Sequence, residues 1–139
     1  MNLEPIADTL DSMPNIVHAL GLRLVSTPDS DACEAEMFVG DNIRQPFGVA
    51  AGGALLAMAE SLAGIGSMML RPGCQCVGIN VCGNHLKPVR EGDTVRAVAK
   101  IVSKSYKLHV WNVDMFDGNG QLASTARITN YISPIEKNN

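Results

Sequence analysis

Aromatic residues are scarce, at 4% of 139 positions, so small and aliphatic side chains must fill the core. Charge is modest, at 18%, and sums to a formal −3 with no basic run longer than two residues. The electrostatic footprint of a nucleic-acid-binding protein is therefore missing. A polybasic membrane-surface patch is missing too. The first residues, MNLEPIADTLDSMPN, are acidic and show no basic stretch followed by an apolar one. No secretory signal is expected, and the four cysteines read as reduced thiols of a cytoplasmic protein. There is no C-x-x-C pair; Cys74, Cys76 and Cys82 read as small buried hydrophobes, and no metal or cofactor is expected. G-x-S-x-G, G-x-x-x-x-G-K-[ST] and G-x-G-x-x-G are all absent, which sets aside the enzymes those loops serve.

What the chain does have is 46% hydrophobic residues, with no repeat, linker or composition shift, so residues 1–139 read as one domain. Residues 3–20 carry helically spaced apolar positions interrupted at Pro14. Residues 20–26 and 32–39 read as strands, with Glu34 and Glu36 on one side of the second. Residues 53–70 are apolar almost all round, as a buried helix is, and Arg71-Pro72-Gly73 ends them. The remainder reads as strands over 74–88, 93–103, 107–116 and 121–132, with a hairpin turn at Asp117-Gly118-Asn119-Gly120 and a frayed polar tail from Ser133. An α+β arrangement is expected, one long helix wrapped by a curved antiparallel sheet.

The stretch from Pro46 to Leu70 is long enough to cross a bilayer. Glu60 lies in its middle, where a charge costs about 2.5 kcal/mol or more on insertion. Five glycines dilute its hydrophobicity, and the strands need a covering element. It is expected to be a core helix, with no membrane partner.

Glu60 is the most informative residue, the only charge in that apolar stretch. Buried carboxylates concentrate in active sites because burial disfavours their ionised form. The alternative is a carboxylate satisfied by backbone or by an arginine. Gly52-Gly53 falls at the expected helix start, where backbone N–H groups have no intrahelical partner and glycine lets a ligand oxygen approach. That would suit an oxyanion hole, or simply a tight turn. Gln45 offers a neutral donor on the loop before the helix. His85 stands in Gly83-Asn84-His85-Leu86-Lys87-Pro88-Val89-Arg90, where Lys87 and Arg90 could meet phosphates or simply be solvated.

The segments QPFGVAAGGALLAMAESLAGIGS and GNHLKPVREGD resemble the hotdog-fold acyl-CoA thioesterases, in the PaaI-like branch with the hydroxybenzoyl-CoA enzymes. The likeness covers about residues 16–132. It implies a hotdog fold of one long central helix and a sheet of five to six strands, in a homodimer or homotetramer. It implies an acyl-CoA substrate, aromatic or short to medium, hydrolysed to acid and CoA. Glu60 matches the catalytic carboxylate, acting as base or nucleophile. Gly52 matches the carbonyl-polarising N–H, and Gln45 and His85 match the other active-site positions. Gly53, Asn84, Lys87, Arg90 and Lys104 are the expected substrate contacts. Two positions depart from the pattern: Ala51 stands where many relatives carry His, and Gly64 where Ser or Thr is common. A non-catalytic acyl-CoA binder, or a hydratase or dehydratase on the same fold, are the alternatives.

Overall fold

The computed structural model describes residues 1–136. Helix α1 (Glu4–Asp11) stops before Pro14, whose ring cannot continue a helix, and α2 (Ile16–Leu20) restarts behind it. Asn15 caps α2 by accepting from the His18 N–H at 3.1 Å. Strands β1 (Arg23–Val25) and β2 (Ala32–Phe38) follow, then the long helix α3 (Gly52–Leu70). The chain ends in β3 (Cys74–His85), β4 (Thr94–Lys104), β5 (Leu108–Phe116) and β6 (Leu122–Pro134).

All six strands form one antiparallel sheet in the order β1-β2-β4-β5-β6-β3. The connection from β2 to β3 thus travels from one side of the sheet to its opposite edge, and α3 is what spans that distance. The helix lies across the inner face and buries Leu55, Met58, Ala59, Leu62, Ala63 and Ile65. Opposite them stand small residues, Ala35, Ala97, Ala99 and Ala126, which let helix and sheet approach closely. The one tryptophan, Trp111, is fully buried beneath Gly66, where an added Cβ would lie 2.6 Å from the indole. A helix long and apolar enough to span a bilayer is here the filling of a curved sheet.

Two expectations change. Ser133 and Pro134 are not frayed tail: β6 pairs through Pro134, and the Ile135 N–H donates to Gly73 O at 3.1 Å. The last three residues of that expected tail lie outside the described ones. Cys74, Cys76 and Cys82 are also not all buried. Gly78 pairs with Asn130 and Asn80 with Thr129, so Ile79 is an extra residue on β3. Such a bulge shifts the alternation by one. Cys74 and Cys76 remain half-buried, while Cys82 is exposed.

Candidate active site

The loop before α3 is tied by the Gln45 N–H to Val49 O at 2.8 Å and the Ala51 N–H to Ile43 O at 2.9 Å. The N-cap is Ala51, which has no side chain able to bond the first turn. Ala54 and Leu55 donate back to Ala51 O, whereas the N–H groups of Gly52 and Gly53 have no acceptor among the described residues. A Ser, Thr, Asp or Asn cap would use up such donors. The helix start therefore presents free N–H groups together with the positive end of the helix dipole.

His85 ends β3 directly over this point. A Cβ on Gly52 would lie 2.7 Å from His85 Nε2, so only glycine allows the ring to sit there. Ser124 donates to the Asn84 carbonyl at 3.2 Å and accepts from His85 Nδ1 at 2.7 Å. Nε2 therefore faces the helix start. Gly52, Leu55, His85, Lys87 and Val89 line a hollow of about 260 Å³. Gln45 stays on the adjacent loop; its Oε1 accepts from the Phe47 N–H, which leaves its amide NH₂ free to donate.

Glu60 lies two turns further along α3 and lines a different cavity of about 380 Å³. Its walls are largely apolar, with Leu10, Ile16, Val17, Ile65 and Met68 among the lining residues. The carboxylate rests on the β3 backbone at the bulge, and a Cβ on Gly78 would fall in contact with its Oε1. Cys76 lines the same cavity, and burial pushes its thiol up to about 11, so it remains a neutral neighbour at pH 7. One turn beyond Glu60, a Cβ on Gly64 would meet nothing within 4 Å.

Beyond that cavity the helix is locked. Ser67 Oγ accepts from Trp111 Nε1 at 2.8 Å and from Asn130 Nδ2 at 3.0 Å, and bonds His109 Nδ1 at 2.9 Å. With both lone pairs of the hydroxyl taken, its proton goes to His109 Nδ1, and Nε2 carries the hydrogen of a neutral ring. Burial, then the positive charges of Arg71 and Lys104, hold the His109 pKa below its ordinary value.

The expected phosphate contacts separate. Lys87 Nζ is bonded to Asp117 Oδ2 at 2.6 Å and also donates to Gln121 Oε1. The Lys87 ammonium, followed by backbone N–H groups of Gln121 and Asn119, holds the Asp117 carboxyl below its usual pKa. Arg90 is exposed and has no ion pair among the described residues. Asn84 is exposed beside His85. Lys104 pairs in register with His109, at the far end of α3 from the helix start, and faces Asp31 at 3.6 Å. Within one chain it is not brought to Lys87 and Arg90.

Two larger hollows touch none of these groups. One, of about 550 Å³, is formed by residues 11–15 with His18 and Ala19; the other, of about 460 Å³, lies on the outer sheet face between Glu34, Arg96 and Phe116. Gly78, Ser124 and Asn130 adjoin these groups without standing out in the sequence. The signal for Asn130 was available, since it interrupts the inward alternation Ala126, Ile128, Ile132 with a polar residue.

The thioesterase superfamily model matches residues 47–124. The 1,4-dihydroxy-2-naphthoyl-CoA hydrolase of Escherichia coli is 35% identical over 119 residues, covering 85% of this chain and 86% of its own. The structure of a mutant of thioesterase PA1618 from Pseudomonas aeruginosa superposes with a TM-score of 0.88 at 31% identity, covering 97% of this chain and 96% of the other. Thioesterase HI1161 from Haemophilus influenzae superposes with a TM-score of 0.87 at 30% identity, covering 99% and 94%. The PaaI protein of E. coli shares the fold, with a TM-score of 0.82 at 17% identity, covering 96% and 94%.

Proposed function

The chain belongs to the thioesterase superfamily, and we propose that it hydrolyses a CoA thioester of an aromatic or short-to-medium acyl group to the free acid and CoA. The observation that carries this reading is the pair of unused N–H groups at Gly52 and Gly53 on a helix whose single carboxylate, Glu60, lies in an apolar cavity. The similarity to a dihydroxynaphthoyl-CoA hydrolase supports the CoA ester as substrate.

In this reading the thioester oxygen accepts from the Gly52 N–H, with Gly53 and the free amide of Gln45 adding donors. His85 closes the site over the same oxygen. Glu60 is the general base. The open space beside Gly64 leaves room for a water against its carboxylate. The water oxygen attacks the carbonyl carbon while Glu60 takes its proton. The C–S bond then breaks, and the departing thiolate receives that proton as CoA thiol. Arg90 is the phosphate contact, with Lys87 and Asn84 beside it. CoA is part of the substrate, and protein groups and water carry every step.

Gly52 and Glu60 are eight residues apart, about 12 Å along the axis at 1.5 Å per residue. Both must lie within about 3.5 Å of the reacting atoms. We therefore propose a homodimer, or a tetramer of such dimers, in which the helix start of one chain faces Glu60 of the other. The unpaired edge of β3, with Val77 and Ile79 exposed, supports this as a surface for sheet extension. A thiol-release screen over aromatic, short and long acyl-CoAs tests the activity; no release from any of them sinks the reading. Mixing Glu60→Gln with Gly52→Ala chains tests the shared site. Regained activity in the mixed dimer is expected, and confirmed heterodimers without activity overturn the sharing.

A further inference from the structure

The Ser67 cluster leaves two polar atoms with nothing to bond. Asn130 and His109 are both fully buried, and Asn130 Oδ1 and His109 Nε2 are the only buried side-chain polar atoms without a partner among the described residues. A buried unmade hydrogen bond is costly enough that each such atom calls for an explanation. For Asn130 the surroundings supply one. It lines the cavity that holds Glu60. It also pairs directly with Gly78, the residue on which the Glu60 carboxylate rests. Side chains on paired residues of neighbouring strands start about 5 Å apart. The Asn130 amide and the Glu60 carboxylate thus belong to neighbouring parts of the wall of one cavity.

The amide is not free to turn away. Its Nδ2 is held by Ser67 Oγ, which is itself fixed by the Trp111 indole and the His109 ring. The Trp111 indole can only donate and the Asn130 NH₂ can only donate, so Ser67 is an acceptor to both and the Asn130 oxygen is turned away from it. On the helix side, Gly64 offers no hydroxyl one turn after Glu60.

We propose that Asn130 holds the hydrolytic water, its Oδ1 accepting one O–H while Glu60 accepts the other. This rests on the general-base reading of Glu60. With both hydrogens fixed, an oxygen lone pair of the water faces the thioester carbon. The proton that Glu60 removes is the one later delivered to the thiolate; the proton on Asn130 stays with the new carboxyl group. The cluster of Ser67, His109 and Trp111 serves as the mount for that one amide.

The test is steady-state kinetics on the fastest thioester from the thiol-release screen, with thermal unfolding measured in parallel. Asn130→Leu should lower kcat about 10- to 100-fold, the scale of a misplaced reacting group, with KM within about twofold of the parent. Hydroxylamine, a stronger nucleophile, should then raise thiol release proportionally more in the variant than in the parent. Gly64→Ser should restore part of kcat in the Asn130→Leu background, because its side chain enters open space. If Asn130→Leu does not fold, Asn130→Ala carries the same expectations without its bulk. A folded variant with parental kcat overturns the proposal. So does a loss that neither hydroxylamine nor Gly64→Ser relieves, which marks a purely structural role. Loss in Ser61→Ala but not at Asn130 gives the water to the helix and overturns it too. Full activity in Glu60→Gln sinks the underlying reading; loss there beside parental kcat at Asn130 sinks only this assignment.

Discussion

The two halves of α3 are made of the same small and apolar residue types yet are held differently. The first half, from Gly52 to Glu60, leaves polar groups unused: two N–H groups at its start and a carboxylate in an apolar cavity. The second half is anchored through Ser67, whose hydroxyl is bonded to three partners and packed over the tryptophan. Glycine shows the same split. Gly66 makes room for a rigid indole, whereas Gly52 and Gly78 make room for the His85 ring and the Glu60 carboxylate. One half is organised to leave chemistry available, the other to keep the helix in place.

If that division is right, substitutions in the first half move rates and those in the second move stability. The largest effect is expected from Glu60→Gln. It should lower kcat about 10²- to 10⁴-fold, the range for a positioned acid or base, with the unfolding midpoint unchanged. Parental kcat on the best thioester, measured by thiol release, would break the comparison at its main point. Gly66→Ala comes next. Its Cβ would lie 2.6 and 2.9 Å from two atoms of a fully buried ring that cannot swing aside. Overpacking of this kind costs about 1–3 kcal/mol. Urea titration should show that loss, while the KM of the folded fraction stays at the parental value.

Gly78→Ala sharpens the contrast because its steric conflict is as close but its neighbour is mobile. The Glu60 carboxylate is the far end of a flexible side chain, so it can move away from a new Cβ. Stability should change by less than about 1 kcal/mol, the scale of an off-rotamer side chain. kcat should fall about tenfold or more, because the base no longer sits where the carbonyl is held. A stability loss as large as that of Gly66→Ala, with kcat intact, would mean that the two glycines do the same job.

Much of this was legible in the residues. The apolar run around Glu60 gave the helix and its one carboxylate, and the alternation Val95, Ala97, Ala99 gave β4 to within one residue at each end. What was not legible came from register and from long-range pairing. The bulge at Ile79 turns Cys82 outward, and no local pattern announces an extra residue in a strand. Ser67 reads as an ordinary helical serine until β5 and β6 bring Trp111, His109 and Asn130 to it from more than forty residues away. Lys87 reads as a free cation beside Arg90 until the β5–β6 hairpin returns Asp117 to it.

That last pair is the exception within the functional end of the molecule, a rigid clamp beside the helix start. Asp117 is buried as a residue and accepts from Lys87 at 2.6 Å, while its Oδ1 accepts the backbone N–H groups of Asn119 and Gln121 at 2.9 and 3.0 Å. Its folded pKa is lowered, chiefly by the Lys87 hydrogen bond and then by the Gln121 N–H. A carboxylate with a lowered folded pKa stabilises the fold above its unfolded value, near 3.9, and loses that contribution as pH falls through the folded value. Asp117→Asn removes the charge at every pH. The variant should therefore be less stable than the parent at pH 7, by a margin that is constant down to about pH 5 and shrinks through the acid range. Urea midpoints of both proteins at pH 7 and at successive acid steps measure the margin. A margin that stays constant to the lowest pH at which both fold would show that Asp117 acts through its shape in the hairpin and not through its charge. The same variant releases Lys87 from its partner. If the clamp keeps that lysine from the substrate, the KM for CoA thioesters falls in Asp117→Asn while the KM for pantetheine thioesters, which lack the adenosine phosphates, does not.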